Sequence, residues 1–148
     1  MGPRGLRQLA WHWFPVLFWM TLILALSSRS DLPARTNPAT GEIIRTTYLA
    51  AKAAHIVEYS VLATLLMRAV TAQGGGLGMA PARAAVWVVL AATAFGIGDE
   101  LRQSFVPNRE ARLADVAIDA ASALGMVMVL MIWRHVREAQ RVSQRVLD

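Results

Sequence analysis

One apolar stretch of the chain carries four side chains suited to acid–base or ligand chemistry. Within YLAAKAAHIVEYSVLATLL lie Lys52, His55, Glu58 and Tyr59, separated largely by three and four residues. This spacing places them on one face of a helix. An ionisable side chain inside a membrane costs several kcal/mol unless it is paired or hydrated. We therefore expect this face to point into the interior of a helix bundle.

Two further segments supply carboxylates. GIGDELRQ contains Asp99, Glu100 and Gln103, and the apolar segment that follows begins with Asp115 and Asp119, four residues apart. In a four-span membrane topology, these groups and the start of the second span lie at the same membrane surface. The sequence therefore predicts one interior pocket shared by His55, Glu58, Asp99 and Asp119.

An imidazole among five carboxylates suits Zn²⁺ or Mn²⁺, and carboxylates alone suit Mg²⁺, so a divalent cation is a candidate cofactor. Its candidate ligands are His55, Glu58, Asp99 and Asp119. The H-x-x-E spacing is a weak signal, and H-E-x-x-H is absent. The candidate catalytic acids and bases are Glu58, Asp99, Glu100, Asp115 and Asp119. The candidate substrate-binding residues are Lys52, His55, Tyr59, Gln103 and Arg109.

Structural explanations exist for the same residues. Lys52 can extend to the membrane interface, and Asp115 is favoured by the dipole of a helix N-terminus. Glu58 can be no more than the buried counter-ion of Lys52, Arg102 or Arg109. The whole set can be an ion-pair network that holds the helices in register, although such networks often add little net stability. An ion or proton transporter would use the same carboxylates, more readily as a homo-oligomer.

The elements that position these residues are predicted to be membrane helices. The 148 residues are 55% hydrophobic and contain no cysteine, which excludes disulfides and thiolate metal sites. Apolar windows long enough to cross a membrane occur at about 9–26, 47–70, 84–98 and 113–133. The third is short, so its ends must borrow neighbouring residues or be buried by other helices. The predicted fold is a single all-α domain over 1–148, a four-helix transmembrane bundle with a short amphipathic C-terminal tail.

The cations support a membrane protein rather than a nucleic-acid-binding one. Fourteen of the fifteen are arginines, and most of them flank apolar runs. With both termini in the cytoplasm, eight arginines lie inside and six outside, which favours this orientation in a bacterial cytoplasmic membrane. The first apolar segment also resembles a signal peptide, but its length and its bulky tryptophans favour an uncleaved anchor.

The combination of motifs resembles the VanZ-like family of small bacterial membrane proteins. The family pattern is K-x-x-H-x-x-E-Y, then D-E-x-x-Q-x-F-x-P-x-R, then D-x-x-x-D or D-x-x-x-N. AKAAHIVEYSVLATLL and DELRQSFVPNREARLADVAIDAASALG match it, and Ser27-Ser28 and Gly125 are also similar. In place of the glycine that often precedes the arginine of P-x-R stands Asn108. The matched motifs lie within residues 47–126.

The resemblance implies an all-helical integral membrane protein. In the family's founding member it implies involvement in resistance to glycopeptide antibiotics such as teicoplanin at the cell surface, whereas most members lie outside resistance clusters. We therefore expect a polar intramembrane site that faces the outer leaflet and binds or modifies an envelope component, such as a lipid-linked cell-wall precursor. Lys52, Arg102 and Arg109 could hold its phosphate.

Overall fold

The structure, a computed structural model, describes residues 3–28, 45–72, 76–105 and 112–147. These residues form four helices and no strand: α1 (Pro3–Ser27), α2 (Arg45–Thr71), α3 (Pro81–Gln103) and α4 (Leu113–Leu147). The all-α prediction is confirmed. Each helix contains a segment long and apolar enough to cross a membrane, namely Gly5–Ser27, Leu49–Thr71, Pro81–Gln103 and Leu113–Gln144.

Two of the predicted boundaries differ from the structure. The third span was expected to end at Gly98 and to be followed by a polar loop, but α3 continues to Gln103. The carboxylate of Asp99 accepts a hydrogen bond from the Gln103 side chain one turn later, at 2.9 Å, which satisfies polar groups in this last turn. With this last turn included, α3 is 23 residues long and forms a full membrane span.

The C-terminal tail was expected to be a separate short helix. Instead, α4 runs through 35 residues to Leu147 without interruption. The chain has no glycine or proline between Met126 and Asp148, so no residue in this segment breaks the helix. The tail is helical as expected, but it extends α4 rather than forming its own element.

Helix α2 contacts the other three helices, and α4 packs on α2 and α3. Within the described residues, α1 contacts α2 and α3 but not α4. The interior between the helices contains Tyr59, Leu62 and Val88 together with fully buried alanines at 63, 69, 84, 92 and 123. Small residues let membrane helices approach closely. Large apolar side chains such as Trp11, Phe14 and Trp87 lie on the outside, where lipid would contact them.

Sequential helices run antiparallel, so the bundle has two distinct ends. We call the first the Lys52 end, where the Lys52 side chain pairs with Asp115 and the Ser27 hydroxyl reaches Asp99. The second is the Arg68 end, where the Arg68 guanidinium donates to the Trp11 carbonyl at 2.9 Å. Here Gly78, with a φ of 57°, closes the turn after α2 by donating its N–H to the Ala72 carbonyl.

Candidate functional site

The deepest polar contact at the Lys52 end joins α2 to α4. His55 Nδ1 and Asp119 Oδ1 lie 2.8 Å apart and share a hydrogen bond. The Asp119 side chain is only 1% exposed, so it needs such a partner to offset the loss of water. Because Nδ1 is engaged with Asp119, Nε2 is the imidazole nitrogen left for a ligand. This carboxylate–histidine arrangement is the one that orients histidines at many metal and catalytic sites.

The Tyr59 hydroxyl lies beside this pair and is almost completely buried. It makes no hydrogen bond of normal geometry with the described residues, although the Asp119 carboxylate is nearby. Gly96 of α3 permits the close approach, because a Cβ there would lie 3.1 Å from Asp119 Oδ2 and 3.3 Å from the tyrosine oxygen. A buried hydroxyl without a partner is uncommon in native proteins and marks this position for a functional explanation.

A second group lies next to His55. Ligand atoms of His55, Glu100 and Asp115 all lie within 4.8 Å of one another. Asp115 is paired with Lys52, and Glu100 Oε2 accepts the Arg112 backbone N–H at 2.8 Å. This is the only group of histidine and acidic residues in the described chain with ligand atoms spaced to hold a metal ion.

The predicted metal-ligand set differs from this group and stays a prediction. Of its four members only His55 belongs to the group of His55, Glu100 and Asp115, and Glu58, Asp99 and Asp119 do not. Asp119 is engaged with His55 Nδ1, and Asp99 is engaged with Arg102 and Gln103. Periodicity places all these carboxylates at one end of the bundle, but the rotation of each helix decides which oxygens converge.

Asp99 is the centre of an adjoining network that reaches α1. Its Oδ1 accepts from the Ser27 hydroxyl at 2.9 Å and from Arg102 Nη2 at 2.8 Å, and its Oδ2 accepts from Gln103 at 2.9 Å. Arg102 also donates to the Ser27 and Ser28 hydroxyls. Arg102 is thus engaged within the protein, which weakens its predicted role as a phosphate ligand.

The contribution of α1 to the site was missed at the level of individual residues. Ser27 and Ser28 were noted only as similar to the family, and no site role was assigned to them. The available signal was two hydroxyls placed directly after a long apolar run, at the membrane surface where the other polar groups converge. Gly96 was also missed, and its signal was a glycine inside an apolar helix.

Glu58 differs from the other carboxylates of the site. It faces the same interior as His55, Asp99 and Asp119 and is close enough for charge interactions with all three. Its side chain makes no hydrogen bond or ion pair with any residue that the structure describes. Only its backbone carbonyl is engaged, by Trp19 Nε1 of α1 at 2.9 Å. Glu58 is therefore a carboxylate within a membrane span with no fixed partner among those residues.

The structure thus brings most of the predicted residues to one end of the bundle. His55, Tyr59 and Asp119 meet in the interior, Lys52, Glu100 and Asp115 lie nearer the surface, and Asp99 and Gln103 form the adjoining network. Arg109, with Pro107 and Asn108, lies outside the described residues. The catalytic and binding roles of all these residues stay predictions.

A protein-family model described as VanZ/LLP1 matches residues 11–134, which is more than half of the chain. The chain belongs to the VanZ/LLP1 family. The predicted resemblance is therefore confirmed. Neither the search of curated proteins nor the search of solved structures gave a match.

The VanZ/LLP1 match covers the whole candidate site. It begins within α1, includes every site residue described above, and ends at Arg134 of α4. The remaining 13 residues of α4, 135–147, lie beyond the match. The family assignment establishes a VanZ-like membrane protein and leaves the substrate and reaction to be proposed from the site itself.

Proposed function

We propose that this VanZ-like protein binds or modifies a lipid-linked component of the cell envelope, such as a cell-wall precursor, at the Lys52 end. In this proposal the Lys52 end faces the outer leaflet of a bacterial cytoplasmic membrane. The observation that carries the proposal is the approach of His55, Glu100 and Asp115 to within 4.8 Å of one another. Two carboxylates held this close repel each other unless a proton or a cation lies between them.

Carboxylates this close together cost free energy in a low-dielectric site unless their charges are neutralised. Asp115 has Lys52 as its counter-ion, whereas Glu100 has a backbone N–H. A divalent cation at the three groups would relieve the repulsion and would bind phosphate oxygens of a lipid-linked precursor. Asp119 would orient the His55 ring, so that His55 Nε2 would face the cation.

The remaining residues would position the substrate. We propose that Lys52, Gln103 and Arg109 contact its polar headgroup. The Tyr59 hydroxyl has no hydrogen-bond acceptor among the described residues, so it would donate its hydrogen bond to the substrate. Glu58 and Asp119 would act as acid–base groups. A role in susceptibility to glycopeptides such as teicoplanin would follow from the binding of a cell-wall precursor, and it is part of the proposal.

A second candidate function is transport of protons or cations. It is favoured by Glu58, since an ionisable group inside a span without a fixed partner is typical of proton and ion pathways. The third alternative is a membrane scaffold, in which the polar network only stabilises the bundle. The three functions differ in what happens when charge is removed while shape is kept.

The decisive variants are Asp119→Asn and Glu58→Gln, with Glu138→Gln as a control. Asn keeps the acceptor for His55, so we expect Asp119→Asn to fold normally and to lose the envelope phenotype. Glu58→Gln should show a mixed effect, because the Glu58 carboxylate is close enough to His55, Asp99 and Asp119 for charge interactions with all three. Glu138 is exposed on α4, and its variant should change neither property. Thermal unfolding in detergent and a teicoplanin-susceptibility or envelope-stress assay provide the two measurements.

Phenotypes that merely follow the abundance of destabilised proteins would favour the scaffold. Loss of proton uptake in proteoliposomes on Glu58→Gln, with unchanged precursor binding, would favour the transporter. Binding is measured with a polyprenyl-pyrophosphate precursor and purified protein, with Mg²⁺ or Mn²⁺ and then with EDTA. The proposal expects binding to fall when the cation is removed, and failure of the wild-type protein to bind under all conditions contradicts it.

The orientation has its own check, because the chain contains no cysteine. A cysteine introduced at Ser104, an exposed residue of the Lys52 end, should react with an impermeant thiol reagent in intact cells. Reaction only after lysis would place this end in the cytoplasm and would exclude an outer-leaflet substrate.

A further inference from the structure

A cleft of about 420 Å³ lies at the Arg68 end, between the last turns of α2 and the second half of α4. Its floor is apolar and includes Met67, Leu130 and Trp133. Because α1 does not contact α4 in the described residues, the cleft is not closed by that helix. The volume is within the range of small-molecule sites.

The rim of the cleft is strongly cationic. It carries four arginines and one acid: Arg68, Arg134, Arg137, Arg141 and Glu138. Glu138 forms no ion pair with any of these arginines in the structure. The positive charge of the rim is therefore available to bind an anion from outside the protein.

Two of the four arginines bond to or stack on other described residues, and two do not. Arg68 donates to the Trp11 carbonyl and lies over the Trp11 ring, and Arg137 stacks on Trp133 with its guanidinium carbon 3.8 Å from the ring centre. Arg134 and Arg141 make no hydrogen bond or ion pair with other described residues. They lie one above the other on α4, about two turns apart, so both guanidinium groups can reach one ligand.

We propose that this cleft binds an anionic phospholipid, with its phosphate held by Arg134 and Arg141 and its acyl chain on the apolar floor. Guanidinium groups match the geometry of phosphate oxygens. Basic clefts between helices at the end of a membrane span are typical sites for anionic headgroups. Trp133 supplies an aromatic side chain of the kind enriched at membrane interfaces.

This site is separate from the candidate site at the Lys52 end. His55 and Thr71 are 16 residues apart on α2, which corresponds to about 24 Å along the helix. The Arg68 and Lys52 ends face opposite membrane surfaces, so one lipid headgroup cannot occupy both. The apolar floor also favours a lipid over a free phosphate, because a free phosphate would leave Met67, Leu130 and Trp133 uncovered.

The test uses the full chain in a zwitterionic detergent, with lipid binding followed by native mass spectrometry. The probes are phosphatidylglycerol, phosphatidylcholine and glycerol phosphate, which separate charge, lipid chains and free phosphate. The variant is Arg134→Gln with Arg141→Gln. The matched control is Arg7→Gln with Arg83→Gln, which removes equal charge from exposed positions at the same end but outside the cleft.

We expect phosphatidylglycerol to bind the wild-type protein and the control with similar affinity. The cleft variant should bind it about thirtyfold more weakly, at roughly one kcal/mol for each arginine. Equal melting temperatures of the variants in lipid-free detergent show that both are folded. Equal losses in both double variants, equal binding of phosphatidylcholine, or binding of glycerol phosphate as tight as that of the lipid would each overturn the proposal.

Discussion

The Lys52 end and the Arg68 end of the bundle both collect charged side chains, but they satisfy them differently. At the Lys52 end, groups from four helices are buried and bonded across helix boundaries, as in His55–Asp119 and Ser27–Asp99. At the Arg68 end, Arg134 and Arg141 project from one helix into an open cleft and make no bond to the other described residues.

The difference follows from where the charges lie relative to the membrane interior. An ionised group between helices has no water to bond with, so it must find a partner within the protein. An arginine near the end of a span reaches the interface, where water and lipid phosphates serve as partners. Buried pairs should therefore matter for stability, whereas the arginines at the cleft should matter for interactions with other molecules.

The largest expected effect comes from Asp99→Ala. It removes the acceptor for Ser27, Arg102 and Gln103, and breaking such a buried pair typically costs about 3–5 kcal/mol. We expect about 3 kcal/mol, because the Arg102 side chain is 33% exposed and can find other partners. The measurement is the free energy of unfolding in mixed SDS–detergent micelles.

Arg134→Ala is the counterpart of that variant at the Arg68 end. A surface change away from structural contacts usually alters stability by less than about 0.5 kcal/mol. Similar losses for Asp99→Ala and Arg134→Ala would show that the two ends do not differ in the way described.

A smaller effect is expected from Gly96→Ala at the Lys52 end. The added methyl group would lie 3.1 Å from Asp119 Oδ2 and 3.3 Å from the Tyr59 oxygen. Overpacking costs about 1–3 kcal/mol, and alanine regains up to about 1 kcal/mol in helix propensity. The same unfolding measurement should show a net loss of about 1–2 kcal/mol.

Gly98→Ala is the matched control, since a Cβ at Gly98 has no atom within 4 Å. It should be neutral or stabilising by up to about 1 kcal/mol. If Gly96→Ala were equally stabilising, the close approach of α3 to Tyr59 and Asp119 would not constrain the site.

Among the site residues of the Lys52 end, the smallest loss of stability is expected from Tyr59→Phe. The buried hydroxyl has no hydrogen-bond partner in the described residues, so its removal should leave stability unchanged or raise it by about 1 kcal/mol. The same variant should weaken binding of the lipid-linked precursor if the hydroxyl contacts that ligand. A loss of stability above about 1 kcal/mol would instead indicate a structural hydrogen bond, with Asp119 as the nearest acceptor.

Much of the fold was predictable because it depends on local properties of the chain. Apolar length predicted four membrane helices, and the alternation of spans predicted that Lys52, Asp99 and Asp115 would meet at one end. The errors lie at helix ends. Asp99–Gln103 looked like the start of a loop because these residues are polar, but their side chains bond to each other within the last turn of α3.

The amino-acid sequence by itself determined the helices, the family and the end of the bundle where the polar groups gather. Only the tertiary structure decided their partners: His55 with Asp119, Ser27 with Asp99, and Glu100 beside Asp115. The physical reason is one of scale. Helical periodicity defines a face to within a side chain or two, whereas a hydrogen bond requires atoms about 3 Å apart. That distance depends on how each helix is rotated and how closely it packs, and contacts such as the one at Gly96 set both.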